Sequence, residues 1–155
     1  MQRRTKSRSL LGMLAPFALW SMLSGCLPGY LRLDVRAPQG LNDSTPMHLL
    51  VREVEPMQYR TESYDAVSML AVQPDKSVLR NKVFYAKKNS IRDRMWIKVS
   101  GKKAVAVYFL FTRPQGPWKM LFDLPVPYTS SVELDPHSIK PRGQGDLTTT
   151  DVPGG

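Results

Sequence analysis

Residues 104–112 read AVAVYFLFT, an almost wholly apolar run. A strand with one side in water alternates apolar and polar residues, whereas a strand buried on both faces is apolar throughout. We therefore predict that residues 104–112 form the central, most buried strand of a β-sheet.

Six further segments have the length and composition of strands. Residues 30–37, YLRLDVRA, alternate apolar with charged side chains, so that Leu31, Leu33 and Val35 share one face. This two-residue period is typical of a strand with one face on a core. The predicted strands besides 104–112 are 30–37, 47–54, 82–86, 93–99, 118–124 and 129–134.

One segment between these strands has a helical period instead. Within residues 62–71, ESYDAVSMLA, the side chains of Tyr64, Val67 and Leu70 recur at the spacing of one helix face. Ser63 is a suitable N-cap, because its hydroxyl can accept a hydrogen bond from the first turn. We predict one short helix inserted between strands.

Seven short strands and one short helix predict an all-β fold, an antiparallel β-sandwich. The strands place this domain within residues 26–135. Residues 136–155 are rich in Pro, Gly and Thr and contain few apolar side chains, so we predict a flexible tail.

The N-terminus has the organisation of a secretory signal peptide. Residues 1–9, MQRRTKSRS, are polar and basic, and residues 10–23, LLGMLAPFALWSML, are apolar. This run of 14 residues is too short to span a bilayer, which requires about 20. A basic segment before a short apolar one is typical of export, which predicts a cleaved peptide over residues 1–25.

The apolar run ends at Cys26, the only cysteine in the chain. The preceding Leu23-Ser24-Gly25 looks like a lipobox, in which the cysteine thiol receives a diacylglyceryl group. The alternative is a small buried hydrophobe in an uncut anchor. In lipoproteins of this kind an Asp after the cysteine signals inner-membrane retention, and Leu27 therefore favours the outer membrane. Loss of the signal peptide, with its four basic residues, reduces the formal net charge from +9 to +5.

The sequence contains no recognisable catalytic pattern. His48 and His137 have no Cys or His neighbour at ligand spacing, and there is no P-loop, nucleophile elbow or dinucleotide glycine motif. We expect no metal, no cofactor apart from the covalent lipid, and no enzymatic activity. The basic pairs Lys87-Lys88 and Lys102-Lys103 fit an anionic polymer or, equally, soluble turns. Nucleic acid is not an expected partner of an exported, tethered domain.

The segment between the first two predicted strands is longer than a usual hairpin loop. Residues 38–46, PQGLNDSTP, exceed the two to five residues of most hairpins. Long loops on rigid scaffolds often carry binding functions, although a solvated connector is the alternative. Leu41 is its one large apolar residue and the expected contact point, near the predicted anchor.

Taken in order, these segments resemble the type VI secretion system lipoprotein family TssJ. The resemblance covers about residues 20–135. It rests on the lipobox, a loop holding Asn42, the strand segment Leu49-Leu50-Val51-Arg52, the short helix, the apolar strand 104–112 and the pair Trp118-Lys119.

The resemblance implies a transthyretin-like β-sandwich with a small helical addition. It also implies an outer-membrane lipoprotein facing the periplasm, which binds the periplasmic C-terminal domain of the inner-membrane protein TssM. With TssL, these proteins build an envelope-spanning complex without catalysis. The family's contact loop maps here onto the partner-binding candidates Pro38, Gln39, Gly40, Leu41, Asn42, Asp43, Ser44, Thr45 and Pro46.

Two other functions remain open at this point. A carrier or inhibitor lipoprotein would need a concave apolar pocket in the sandwich. An envelope enzyme acting on anionic polymers would need converging carboxylates or a metal cluster. Genes for sheath and inner-membrane secretion components beside this one would favour the assembly role over both.

Replacement of Cys26 by Ser should leave the chain without lipid and move it from the membrane to the soluble fraction, because the acyl-accepting thiol is gone. Mass spectrometry and cell fractionation measure the two effects. Leu27→Asp is the control, which should keep the lipid but retain the chain in the inner membrane. A Cys26→Ser chain that still carries diacylglycerol would contradict the assignment.

Overall fold

The computed structural model describes residues 29–85 and 90–140. The predicted signal peptide, Cys26 and residues 141–155 of the predicted tail lie outside this part of the chain. The strands are β1 Gly29–Ala37, β2 Met47–Val54, β3 Val78–Phe84, β4 Ile91–Val99, β5 Ala104–Leu110, β6 Lys119–Phe122, β7 Thr129–Asp135 and β8 Ser138–Ile139. The helices are α1 Pro56–Thr61 and α2 Tyr64–Val72, and a 3-10 turn spans Leu41–Ser44.

The strands form two four-stranded sheets with the orders β4-β1-β7-β8 and β3-β2-β5-β6. Their inner faces share one hydrophobic core, which confirms the predicted all-β sandwich. All pairs are antiparallel except β1 and β7, which are parallel. A hairpin cannot join parallel neighbours, and β7 reaches its place only after the chain has passed through the second sheet.

The predicted central strand is β5, in which every residue is buried. In β1, Leu31, Leu33 and Val35 point into the core as the alternation predicts. Residues directly opposite each other on paired strands lie on the same face of the sheet. The inward positions of neighbouring strands therefore line up into one apolar face.

The structure corrects one predicted boundary and adds one helix that was not predicted. The domain continues past residue 135, because β8 pairs with β7 and buries Ile139. One apolar residue in a polar, Pro-containing segment produces no periodic signal, so the sequence missed this strand. Pro56 ends β2 as predicted, but it also begins α1, where its missing N–H costs no hydrogen bond.

Helices α1 and α2 cover the outer face of the second sheet. Tyr59 and Val67 are buried beneath them, and Ser63 caps α2 by accepting a hydrogen bond from the Ala66 N–H. The Tyr64 hydroxyl donates to the Phe111 carbonyl, which links α2 to the end of β5.

The covered face contains a polar cluster with its charges paired. The buried Arg52 guanidinium lies 2.7 Å from one carboxylate oxygen of Glu62, and the Tyr108 hydroxyl donates to the other at 2.6 Å. Burial, together with this hydrogen bond, raises the pKa of Tyr108, so the hydroxyl stays protonated. Lys119 Nζ donates to the Tyr59 carbonyl at 2.8 Å. The cluster therefore joins strands β2, β5 and β6 to the helical cover.

Glu62→Ala should lower the free energy of unfolding by about 3–5 kcal/mol, because it leaves the Arg52 charge buried without its carboxylate. The double variant Arg52→Met/Glu62→Leu should lose less, since no unpaired charge remains. Urea denaturation of the wild type and the variants measures both. A double variant that loses as much stability as Glu62→Ala, or more, would contradict the pairing of Arg52 with Glu62.

Candidate partner-binding loop

The loop 38–46 lies at the end of the sandwich opposite to Gly29. Strand β1 runs from Gly29, which pairs with Val99, to Ala37, which pairs with Ile91. At about 3.3 Å per residue these nine residues separate the two ends by about 27 Å. The loop is close to Cys26 in sequence, but the length of β1 separates it from the strand's N-terminal end.

The loop backbone is folded into an unusual compact turn. Gly40 has a φ of 78°, and Asn42, Asp43 and Ser44 have φ angles of 53°, 51° and 63°. The left-handed region costs L-residues about 1–2 kcal/mol each, with Asn and Asp the most tolerant. Such a sequence of angles persists only where other contacts hold it.

Asn42 supplies those contacts from a fully buried position. Its Oδ1 accepts a hydrogen bond from the Thr112 N–H at 2.7 Å, and its Nδ2 donates to the Pro46 carbonyl at 3.1 Å. Its own backbone N–H donates to the Pro136 carbonyl at 2.8 Å. The side chain of Asn42 thus joins the loop to the segment after β5, and its backbone joins the loop to the turn between β7 and β8.

The burial of Leu41 corrects one prediction. Leu41 is only 2% exposed, so it is part of the hydrophobic core and not the contact point that its chemistry suggested. The turn directs its only large apolar side chain inward. Leu41 and Asn42 therefore hold the loop from beneath, and the exposed surface of the loop is formed by other residues.

The accessible surface of the loop is polar. Pro38 and Gly40 are half-buried, and the exposed residues are Gln39, Asp43, Ser44, Thr45 and Pro46. Asp43 Oδ1 lies 3.1 Å from Nε2 of His137, which brings the β7–β8 turn alongside. Sequence reasoning missed His137 and Thr112 as parts of this region, because nothing local marks residues that are distant along the chain.

The arrangement suits the binding of a protein surface. A loop whose backbone is already held by a buried side chain loses little conformational freedom when a partner docks.

Within residues 29–85 and 90–140, no group of three or more His, Cys, Asp or Glu side chains could hold a metal ion. In the same ranges, no helix has the length and hydropathy needed to cross a membrane. His48, the other histidine, contacts Asn81 Oδ1 at 3.2 Å.

The sandwich is similar in fold to solved structures of proteins from type VI secretion systems. Serratia marcescens Lip, a membrane-bound component of the system, matches with a TM-score of 0.58 and 12% identity, over 77% of this chain and 100% of that chain. The lipoprotein TssJ1 from Pseudomonas aeruginosa matches with a TM-score of 0.52 and 13% identity, over 82% of this chain and 100% of that chain. A chain from a structure of the TssM C-terminal domain (869–1107) from EAEC matches with a TM-score of 0.57 and 12% identity, over 74% of this chain and 97% of that chain.

The sequence itself matches one family model. The model described as IglE, N-terminal domain, aligns with residues 48–134, which is more than half of the chain. No curated protein matches the sequence. At identities this low the solved structures establish the shared fold, and with the family model they confirm the predicted resemblance to TssJ.

Asn42→Ala should lower the free energy of unfolding by about 2–4 kcal/mol, because it removes the hydrogen bonds of the fully buried Asn42 amide, including the one from the Thr112 N–H, and retains the left-handed backbone. Asn42→Gly should lose about 1 kcal/mol less, since glycine adopts this φ freely. Urea denaturation and limited proteolysis at the loop measure the effects. Gln39→Ala, at an exposed position, is the control, and equal stability of all three variants would refute the anchoring role of Asn42.

Proposed function

The chain belongs to the IglE N-terminal-domain family, and from that membership we propose that it is an outer-membrane lipoprotein of a type VI secretion system. It anchors and helps to assemble the envelope-spanning membrane complex by binding the periplasmic C-terminal domain of TssM, and through it TssL. The observation that carries the proposal is the sandwich shared with Lip and TssJ1, with a rigid loop at the end opposite to Gly29.

The proposed role is mechanical. The covalent lipid on Cys26 would hold one end of the molecule, and the loop 38–46 would grip TssM at the other. Strand β1 connects the two directly, and it is hydrogen-bonded on both sides, along nine residues to β4 and along five to β7. A load along β1 would act on all these pairs in parallel, which suits an element under tension.

The loop supports the proposal through its rigidity and its exposed polar rim. Asn42 and Leu41 hold the backbone from inside, so that Gln39, Asp43 and Ser44 project from a preformed turn. Binding of this kind uses complementarity and does not require a reacting group, so we propose no catalytic activity. No cofactor is needed beyond the lipid.

Gln39→Arg/Ser44→Arg should abolish recovery of TssM with the tagged lipoprotein, because two bulky cations would crowd the exposed face of the loop. Both positions are exposed, and the variant leaves Leu41 and Asn42 in place. Pull-down from detergent-solubilised envelopes, followed by mass spectrometry, measures the recovery. We expect at least a tenfold loss, equivalent to about 1.4 kcal/mol of binding free energy.

Gln58→Arg/Gln73→Arg is the matched control, since it adds the same charge at exposed positions on the helical side. It should recover TssM as the wild type does. If both variants recover TssM, the contact lies outside the loop. If the wild type recovers no inner-membrane protein while folded and lipidated, the assembly role is wrong.

A further inference from the structure

Three large aromatic side chains are exposed on the outer face of the first sheet, near the end that contains Gly29. Tyr30 and Trp96 are each 51% exposed and Tyr128 is 65% exposed. Arg32 and Lys98 lie between them. We call these residues the anchor-side patch, which consists of Tyr30, Arg32, Trp96, Lys98 and Tyr128.

The patch is one continuous surface. Tyr30 lies directly opposite Lys98 across the β1–β4 pair, and Arg32 lies directly opposite Trp96. The Trp96 and Tyr128 ring centroids are 5.6 Å apart, and the Arg32 guanidinium carbon lies 5.9 Å from the Trp96 centroid. The Arg32 N–H donates to the Tyr128 carbonyl, which brings β1 against the segment before β7.

The two sheets differ in how their outer faces are covered. Helices α1 and α2 bury the outer face of the second sheet, whereas the anchor-side patch of the first sheet remains accessible. Exposed groups of large aromatic residues on a sheet face mark sites of interaction. Tyr and Trp suit a surface that is apolar at one side and wet at the other, as at a bilayer interface.

The charge of this sheet face favours an anionic surface. Six basic residues share it with three acidic ones: Arg32, Arg36, Arg92, Arg94, Lys98 and Lys140 against Asp34, Glu133 and Asp135. The hydrogen bond from Arg94, at 2.8 Å, holds the pKa of Asp34 below its usual value, so this carboxylate stays ionised and paired. The anchor-side patch itself contains two cations and no acid, and Asp34 lies at its edge, with a carboxylate oxygen 3.3 Å from a terminal nitrogen of Arg32.

The position of the patch identifies the surface. Cys26 precedes Gly29 by three residues, which reach about 10 Å when extended. If Cys26 is lipidated, the bilayer therefore lies within that distance of the start of β1. Tyr30 and its partner Lys98 are in the adjacent register positions of the β1–β4 pair.

We propose that the anchor-side patch lies on the bilayer that holds the lipid. Trp96, Tyr30 and Tyr128 would enter the headgroup region, and Arg32 and Lys98 would contact anionic phospholipid headgroups. This inference rests on the lipidation of Cys26 proposed above. It would orient the domain on the membrane, with the loop 38–46 at the far end of β1.

The test uses the fluorescence of the mature, lipidated protein reconstituted in vesicles. Cleavage of the signal peptide removes Trp20 and leaves Trp96 on the surface and Trp118, which is 3% exposed, in the core. Vesicles of phosphatidylcholine, alone or in equal parts with phosphatidylglycerol, carry brominated phosphatidylcholine as a quencher. Trp96→Phe provides the background signal of Trp118.

We expect Trp96 to be quenched at least twofold more in the anionic vesicles than in the neutral ones, with the difference lost at high salt. Lys98→Glu should reduce this quenching by half or more. Arg113→Glu, the same change of charge at the exposed segment after β5, should leave it unchanged. Far-UV circular dichroism verifies that all variants are folded.

Quenching no greater than that of Trp96→Phe in both kinds of vesicle would overturn the proposal, and so would equal effects of Lys98→Glu and Arg113→Glu. Protection of Trp96 from acrylamide in the purified envelope complex, but not in vesicles, would assign the patch to a protein instead. Before the quenching measurements, mass spectrometry determines whether Cys26 carries lipid. A chain without lipid contradicts the proposed anchor, whereas a lipidated chain without quenching contradicts only the patch.

Discussion

The burial of β5 on both faces is the constraint on which the rest of the structure depends. A strand that is apolar at every position must be covered on two sides. The first sheet covers one side and shares the core with it. The other side needs a second cover, and the chain provides it with α1 and α2 between β2 and β3. The three layers of the molecule follow from this one strand.

The second cover introduces charges into the interior. Arg52 and Lys119 are both buried, and a buried charge without a partner is costly. Glu62 meets Arg52 and Tyr108 at the same time, and helix α1 presents the Tyr59 carbonyl to Lys119. Few placements of the helices satisfy all these groups together, so the cluster specifies where the helices dock.

Strand β1 gives the molecule two chemically different ends. The exposed aromatic and basic residues lie near its beginning, and the rigid polar loop follows its last residue. The first sheet leaves its outer face accessible along this axis, whereas the second sheet uses its outer face for folding. A lipoprotein that links a membrane to a protein complex would benefit from this separation, because each end can bind without obstructing the other.

The sequence by itself determined the local features of this protein: the alternating strands, the apolar β5, the cap at Ser63, the single cysteine behind an apolar run and the sandwich class. These follow from periods of two or 3.6 residues and from short motifs, which neighbouring residues specify. Only the tertiary structure decided which loop residues a partner can reach. Asn42 is buried and exchanges hydrogen bonds with Thr112, 70 residues away, and β8 forms because β7 pairs with it. Contacts between distant segments depend on how the sheets pack, and no local period encodes that.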